Sequence, residues 1–308
     1  MIKYYKTVDN KVIEIEKAET GCWISVISPS EEEVEYLVET YGFDRGFVKS
    51  ALDEEESSRV EIEEEQTLII VDYAISQKEE TGDAIIYSTM PLSIIVTKNY
   101  VVTVSLMDNV ILHEMANGTV KNVQTALKTR FILLILLRIA AKFLLFLKAI
   151  DKMSSQSEKK LSKSMKNKEL LQLLALEKSL VYFSTSLKSN EVTLEKILRG
   201  RVIKLYEDDQ DLLEDVLIEI KQAIEMANIY SNVLSGTMDT FASVISNNLN
   251  IVMKTLTMIT IIMEIPTIIF SYYGMNVTGL PYPVSWFPVA VSLVAMIIGL
   301  IIIRDKDR

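Results

Sequence analysis

The residues best suited to handle an ion lie near the carboxyl end of this 308-residue chain, along a mostly apolar segment. Side chains three or four residues apart fall on one face of an α-helix. One such face carries nearly all of the segment's polar groups, together with one methionine: Asn250, Met253, Thr257, Thr260, Glu264, Thr267 and Ser271. A polar face in an apolar helix contacts protein or water, because lipid cannot satisfy its hydrogen bonds. The pattern predicts a pore built from one such face of several chains.

A second apolar run, 286–303, follows the first after a short loop and contains no charged residue. Both runs are long enough to cross the hydrocarbon core of a bilayer. We therefore predict two transmembrane helices, at about 251–271 and 286–303, joined by an outer loop over 274–285. The polar spacing suits left-handed packing of several helices around an axis. Since one pair of spans cannot enclose a channel, a pore requires a homo-oligomer.

A second interpretation of the polar face remains open, because Thr and Ser side chains often hydrogen-bond across packed membrane helices. Under that interpretation the face holds helices together and lines no pore. Glu264 favours the pore, since an acidic residue at this depth in a membrane helix usually serves a function.

A longer series of residues extends the pattern beyond this face. It comprises Asn250, Met253-Lys254, Leu256-Thr257, Pro266-Thr267 and Tyr273-Gly274-Met275-Asn276, with Val96 to Asn99, Asp215, Ser235-Gly236 and Asp239 upstream. These residues resemble the CorA-type divalent cation channels, whose signature is a Gly-Met-Asn triplet between two spans. The resemblance implies a pentameric funnel in the plasma membrane, with both termini cytoplasmic. It also implies uptake of Mg2+, and of Co2+ or Ni2+ as further candidate ions, driven by the membrane potential.

The resemblance assigns roles to individual residues. Gly274, Met275 and Asn276 would form the selectivity filter, where a ring of Asn276 oxygens binds Mg2+ with its water shell in place. Asn250, Met253, Leu256 and Thr267 fall at pore-lining positions of the family, and the polar spacing adds Thr257, Thr260, Glu264 and Ser271. Met253 and Leu256 would form an apolar constriction, although both are equally suited to helix packing.

Three features depart from the family pattern. Glu264 stands where an apolar pore residue is usual, which predicts a ring of carboxylates in the middle of the channel. The loop after Asn276 lacks the acidic residue that many members carry, so the outer mouth is less negative. The tail 304–308 mixes both signs of charge.

The net charge of −10 is concentrated in acidic runs, most of which we interpret as solvated surface. In the family, acids from neighbouring subunits bind intracellular Mg2+ and hold the channel closed. Asp215 matches one of those positions by its distance from the pore motif. Asp53 is a counterpart only if the alignment admits a small gap. Mg2+ is thus expected as both transported and regulatory ion.

Upstream of the membrane segments the sequence predicts an α+β membrane protein with two cytosolic parts. Residues 1–118 alternate short β-rich runs, among them 84–88 and 93–97, with turns, which indicates an α/β domain. Ser30 and Glu33 predict a capped helix over 31–41. Residues 119–249 are expected to form a stalk of long helices, at 159–188 and 208–249. The apolar run 131–150 contains three basic residues, which favours a buried helix over a membrane span.

Composition also excludes several classes of function. With one cysteine, Cys22, and one histidine, His113, a single subunit has neither a disulfide framework nor a His/Cys zinc cluster. No phosphate-cradling loop or catalytic constellation is evident, so neither an enzyme nor an organic cofactor is expected. No nucleic-acid partner is expected either. Two alternatives to a Mg2+ channel remain: a proton-coupled Zn2+ transporter of the same architecture, and a membrane-anchored sensor of divalent cations.

Overall fold

The computed structural model describes residues 1–78, 85–164, 167–199, 202–203, 205–276, 279–282, 284 and 286–306. The chain divides into two compact units, Met1–Thr237 and Met238–Arg308. The division into 1–118, 119–249 and 250–308 that the sequence suggests stays a prediction about the roles of these segments.

The first unit is built on a seven-stranded sheet in the order β2-β1-β3-β7-β6-β5-β4. Only β3 and β7 are parallel neighbours in this sheet, and the remaining pairs are antiparallel. The strands are β1 Ile2–Val8, β2 Lys11–Ile15, β3 Trp23–Ile27, β4 Arg59–Glu63, β5 Gln66–Lys78, β6 Ile85–Val96 and β7 Val101–Ser105.

Seven helices accompany the sheet among the described residues: α1 Glu31–Tyr41, α2 Arg45–Ser50, α3 Val110–Ala116, α4 Lys128–Ser164, α5 Asn167–Leu198, α6 Glu207–Tyr273 and α7 Phe287–Lys306. The predicted helix 31–41 is confirmed with its capping box, in which the Ser30 hydroxyl accepts a hydrogen bond from Glu33 N. Gly42 ends α1 in the left-handed conformation that glycine adopts without strain.

Apolar side chains pack against both faces of the sheet. On one face, Ile24 and Val26 of β3 join a core with α1 and α2. On the other, Trp23 stacks on Tyr5 with ring centroids 4.8 Å apart and contacts Phe131 of α4 at 5.2 Å. The alternation of side chains along β3 therefore anchors both layers of the unit.

The apolar run 131–150 lies within α4 and forms part of this second layer. Phe131, Ile135 and Phe143 are fully buried, and Phe143 packs edge-on against Phe183 of α5 at 5.0 Å. Arg138 is paired with Glu114 of α3, which satisfies a charge that lipid would leave unpaired. The prediction of a buried helix is confirmed.

Several predicted boundaries were wrong. The runs 84–88 and 93–97 were expected as separate strands, but 85–96 form the single strand β6, with Pro91 in the middle opposite Asp72. The helix expected from Lys159 to Lys188 combined two elements, because Lys159 belongs to α4 and α5 begins at Asn167. By contrast, the helix expected over 208–249, leading directly into the first span, is confirmed, because α6 runs without interruption from Glu207 to Tyr273.

Asp72 of β5 has a largely buried carboxyl group, and its backbone is hydrogen-bonded to α5. Burial raises the pKa of Asp72, although hydrogen bonds from the Ser186 and Ser58 hydroxyls act against that increase. The Asn190 side chain bridges the Asp72 backbone, donating to its carbonyl at 2.8 Å and accepting from its N–H at 2.9 Å. The carboxylate form is therefore held in an environment that disfavours its charge.

This burial predicts a pH-dependent effect on stability. Because the pKa of Asp72 is raised in the folded state, the folded state holds the proton more tightly and stability falls as pH rises through that interval. Asp72→Asn should raise the midpoint of thermal unfolding at about pH 8 by about 2–4 °C. The gain should shrink at about pH 4, because protonation of the parent carboxyl at lower pH removes the unfavourable charge. Asp211→Asn, at an exposed position of α6, is the control, and an equal gain at both pH values would contradict the prediction.

Candidate ion pathway

The predicted pore residues all lie on the part of α6 that belongs to the second unit. Each of them is exposed in the single chain: Asn250, Met253, Leu256, Thr257, Thr260, Glu264, Thr267 and Ser271. Apolar residues on the other faces of this part, such as Ile259 and Ile268, are exposed as well. Because all of these faces are exposed in one chain, each of them is available to contact either lipid or a neighbouring subunit.

The threonine hydroxyls on the polar face are oriented by the helix itself. Thr257 donates to the Met253 carbonyl at 2.8 Å, and Thr260 donates to the Leu256 carbonyl at 2.9 Å. Thr267 donates to the Met263 carbonyl at 3.0 Å. Because the only hydroxyl proton is used inside the helix, each oxygen offers lone pairs to a neighbour. Acceptors of this kind suit the water protons of a hydrated cation.

Helical hydrogen bonding extends past Tyr273 into the signature triplet. Gly274 N donates to the Phe270 carbonyl at 2.8 Å, and Met275 N donates to the Tyr272 carbonyl at 3.4 Å. A Cβ at Gly274 would lie 3.1 Å from the Phe270 oxygen, which is a tight contact with a backbone atom. Gly274 is not in the left-handed region, so a turn of that kind does not explain the glycine. Its advantage in the structure is that, without a Cβ, its backbone can lie close to the Phe270 oxygen at the helix end.

Several aromatic side chains pack together at the outer loop, of which the structure describes 274–276, 279–282 and 284. The Tyr273 hydroxyl donates to the Pro281 carbonyl at 3.1 Å. Phe287 at the start of α7 contacts Tyr273 at 6.2 Å and Tyr282 at 5.2 Å between ring centroids. These contacts connect the end of α6 to the start of α7, next to Asn276. Sequence reasoning missed them, although the density of aromatic residues on both sides of the loop was a visible signal.

The two helices of the second unit also meet at a small residue. A Cβ added to Gly299 of α7 would approach the Ile265 Cδ1 atom of α6 to 3.1 Å, so glycine permits the close contact. By length and composition α6 qualifies as a membrane-spanning helix among the described residues, and Phe287–Ile302 is a shorter apolar helix. The second predicted span stays a prediction.

The two predicted regulatory acids are exposed and lie in the first unit. Asp215 is on α6, and Asp53 follows α2, where its carboxylate accepts a hydrogen bond from Glu55 N at 3.0 Å. Within the described part of one chain, no three His, Cys, Asp or Glu residues are grouped so that they could hold a metal ion.

The sheet-and-helix unit, the long α6 with its polar face and the apolar α7 are the features expected of a membrane protein of the ion-transport class. Residues 18–304 match the profile of the CorA-like Mg2+ transporter protein family, so the chain belongs to that family. The resemblance seen in the sequence is confirmed.

Individual relatives agree with this assignment. The chain is 28% identical to the cobalt/magnesium transport protein CorA of Methanocaldococcus jannaschii over 92% of this chain and 89% of that protein. The complete structure of the CorA magnesium transporter from Methanocaldococcus jannaschii superimposes with a TM-score of 0.79, at 25% identity, covering 99% of this chain and 96% of that one. The ZntB cytoplasmic domain from Vibrio parahaemolyticus shares the fold, with a TM-score of 0.61 at 12% identity, over 80% of this chain and 97% of that one.

Proposed function

We propose that the chain forms a homopentameric channel in the plasma membrane that admits Mg2+ in response to the membrane potential. The polar face of α6, whose oriented hydroxyl acceptors lead toward Asn276, is the observation that carries this proposal. Both termini lie in the cytoplasm, and α6 and α7 are the two spans. The names of the Methanocaldococcus jannaschii relatives, which specify cobalt and magnesium, support Mg2+ and Co2+ as the transported ions.

Selection takes place at a ring of Asn276 side chains, one from each subunit. Mg2+ gives up its octahedral water shell reluctantly, so amide oxygens that accept hydrogen bonds from bound water can recognise the hydrated ion. The helix end at Gly274 and the bond from Tyr273 to Pro281 support the loop that presents Asn276. Two charges crossing 100 mV gain about 4.6 kcal/mol, which is sufficient to drive uptake without ATP.

Closure uses the apolar constriction and the cytosolic acids. Met253 and Leu256 lie one turn apart on α6, at a level where a narrow ring of apolar side chains excludes water. Mg2+ bound between subunits at Asp215, and at Asp53, would neutralise clustered acids and hold the subunits together. Because Asp215 is on the same helix as the pore residues, release of that ion can be transmitted along α6.

A proton-coupled Zn2+ transporter is the second candidate, and Glu264 is the observation that favours it. A carboxylate in the middle of the first span can take up and release a proton. The shared fold of the ZntB domain is consistent with this candidate but, at 12% identity, shows the fold alone.

One experiment distinguishes the two candidates. Purified protein in liposomes is given Mg2+, Co2+ or Zn2+ outside, with and without an imposed pH gradient, and uptake is followed with an ion-sensitive dye inside. The proposal expects Mg2+ and Co2+ uptake that is indifferent to the pH gradient. Zn2+ uptake that requires the gradient would replace the channel with the zinc transporter, and no uptake of any ion would favour the sensor.

Replacing Glu264 tests the role of the carboxylate ring in a Mg2+ channel. A carboxylate about 4 Å from the doubly charged ion in water contributes about 2 kcal/mol of attraction, which is about thirtyfold in ion occupancy. Glu264→Gln should therefore lower Mg2+ uptake by up to about thirtyfold, because it removes the charge but keeps the shape of the side chain. Glu264→Asp, which keeps the charge, is the control. If Glu264→Gln instead abolishes a response to the pH gradient, the carboxylate carries protons.

A further inference from the structure

The hairpin formed by α4 and α5 ends in a basic segment. Over 154–168 the sequence contains five lysines and one acidic residue, Glu158, whereas the whole chain carries a net charge of −10. Among the side chains that the structure describes, Lys159 and Lys160 near the end of α4 and Lys168 at the start of α5 are exposed. Together with the first turns of α5, up to Leu174, we call this segment the hairpin tip. Its charge is opposite in sign to that of the rest of the chain.

Two exposed leucines accompany these lysines. Leu171 is 63% exposed and Leu174 is 53% exposed, whereas Leu173 between them is fully buried. Because residues three apart share one face of a helix, Lys168, Leu171 and Leu174 lie along the exposed side of α5. A helix that presents leucine and lysine together suits the boundary between lipid headgroups and acyl chains, where leucines insert and ammonium groups reach the phosphates. An acidic protein surface would match the lysines alone.

The hairpin tip lies at the end of the first unit from which α6 continues to the predicted span. Within this unit α5 and α6 run antiparallel, because Ser184 donates to Asn228 Oδ1 at 3.3 Å and, later in α5, Glu191 lies 3.9 Å from Lys221, which comes earlier in α6. The start of α5 is therefore on the side of the last part of α6 within the unit. Residues 238–250 separate that part from the predicted span, which is about 20 Å of helix.

The first turns of α5 are fixed to the sheet. Gln172 Nε2 donates to the Ile85 carbonyl at 3.4 Å, and Tyr87 N donates to Ser179 Oγ at 3.0 Å. Groups presented by an anchored helix lose less conformational entropy on binding than groups on a disordered segment. The tip is therefore organised for contact with a surface.

We propose that the hairpin tip binds the anionic lipid surface of the cytoplasmic leaflet. The lysine ammonium groups contact lipid phosphates, and Leu171 and Leu174 insert at the level of the headgroups. Each lysine near such a surface strengthens the contact about fivefold, and the attraction falls off within about 8–10 Å at moderate salt. The proposal rests on insertion of α6 and α7 into a bilayer and is independent of which ion is transported.

Quenching of a fluorophore at the tip by labelled lipid tests this contact in the full-length protein. Asn167 is exposed, and Cys22, the only native cysteine, is fully buried, so Asn167→Cys can be labelled selectively with bimane. The labelled protein is placed in nanodiscs that contain a lipid with a nitroxide on its headgroup. The remaining lipid is phosphatidylcholine alone or an equal mixture of phosphatidylcholine and phosphatidylglycerol. We expect strong quenching in the anionic nanodiscs, weak quenching in the neutral ones, and loss of the difference as salt screens the charges.

Two pairs of substitutions identify the groups responsible. Lys159→Gln combined with Lys160→Gln should lower the ratio of quenched to unquenched fluorophore about thirtyfold in anionic nanodiscs, because two lysines are lost. Lys188→Gln combined with Lys196→Gln removes two exposed lysines from the later part of α5 and should leave the quenching unchanged.

Three results would overturn the proposal: equal quenching in neutral and anionic nanodiscs, no quenching in either, or unaltered quenching after loss of Lys159 and Lys160. Co-elution of the protein with the nanodiscs measures insertion of the spans separately. A failure of the tip contact is therefore distinguishable from a failure of membrane insertion, and neither readout depends on ion transport.

Discussion

Asn276→Ala is expected to lower Mg2+ uptake into proteoliposomes by at least about tenfold. Loss of one hydrogen bond to a charged group costs about 1.5–3 kcal/mol, which corresponds to about 10–150-fold in binding. The substitution removes the amide from every subunit, so the site would lose all of its side-chain acceptors for the hydrated ion at once. Initial rates of uptake at equal protein content in the vesicles measure the effect.

The control for this variant is Asn248→Ala. It removes an amide from α6 on the side opposite the predicted polar face, so it should preserve uptake. Thermal unfolding of both variants should match the parent, since Asn276 is exposed. Full uptake by Asn276→Ala would show that the loop does not select the ion. Equal loss in both variants would point to damage of the helix instead.

Asp215→Ala is expected to relieve inhibition by cytosolic Mg2+, raising the half-inhibitory concentration by about tenfold or more. Each subunit interface loses a carboxylate that would ligate the regulatory ion, and the predicted counterpart Asp53 cannot hold it alone. Currents recorded from excised inside-out patches, as Mg2+ on the cytosolic side is varied, measure the effect.

Glu214→Ala provides the matched control, because it removes an equally exposed acid from the adjacent position of α6. A general loss of negative charge would affect both variants alike, whereas a specific metal ligand would affect Asp215→Ala alone. The regulatory assignment fails if Asp215→Ala channels are inhibited by the same Mg2+ concentration as the parent. Asp53→Ala in the same assay then shows whether the gapped alignment identified a true ligand.

Local signals in the sequence were sufficient to predict parts of the fold. The capping pair Ser30 and Glu33 fixed the start of α1, and the charges within 131–150 correctly excluded a membrane span for α4. Both features depend on neighbours in sequence or on a general cost of burying charge. The absence of proline and the presence of a single glycine, Gly236, over 208–249 likewise predicted a long helix, which became the first part of α6.

Other features depend on contacts between distant residues and were missed. The strand β1 carries Lys3 and Lys6, which are three residues apart and show no alternation, and its pairing with β2 and β3 is visible only in the sheet. The strand β6 continues through Pro91, and its pairing with β5 and β7 is likewise visible only in the sheet. In the ion pathway, the bond from Tyr273 to Pro281 joins residues on either side of the loop, and no spacing rule identifies that pair. The orientation of the threonine hydroxyls follows from helix geometry. Which surface of a neighbouring subunit they face depends on the assembly.

The most direct test of the central claim is Mg2+ uptake into proteoliposomes as a function of an imposed potassium diffusion potential, with no pH gradient present. The channel account predicts that uptake rises as the interior becomes more negative and stops when the potential opposes entry by more than the Mg2+ gradient favours it. It also predicts that uptake is lost in Asn276→Ala. Uptake that ignores the potential, or that persists in Asn276→Ala, would contradict the account.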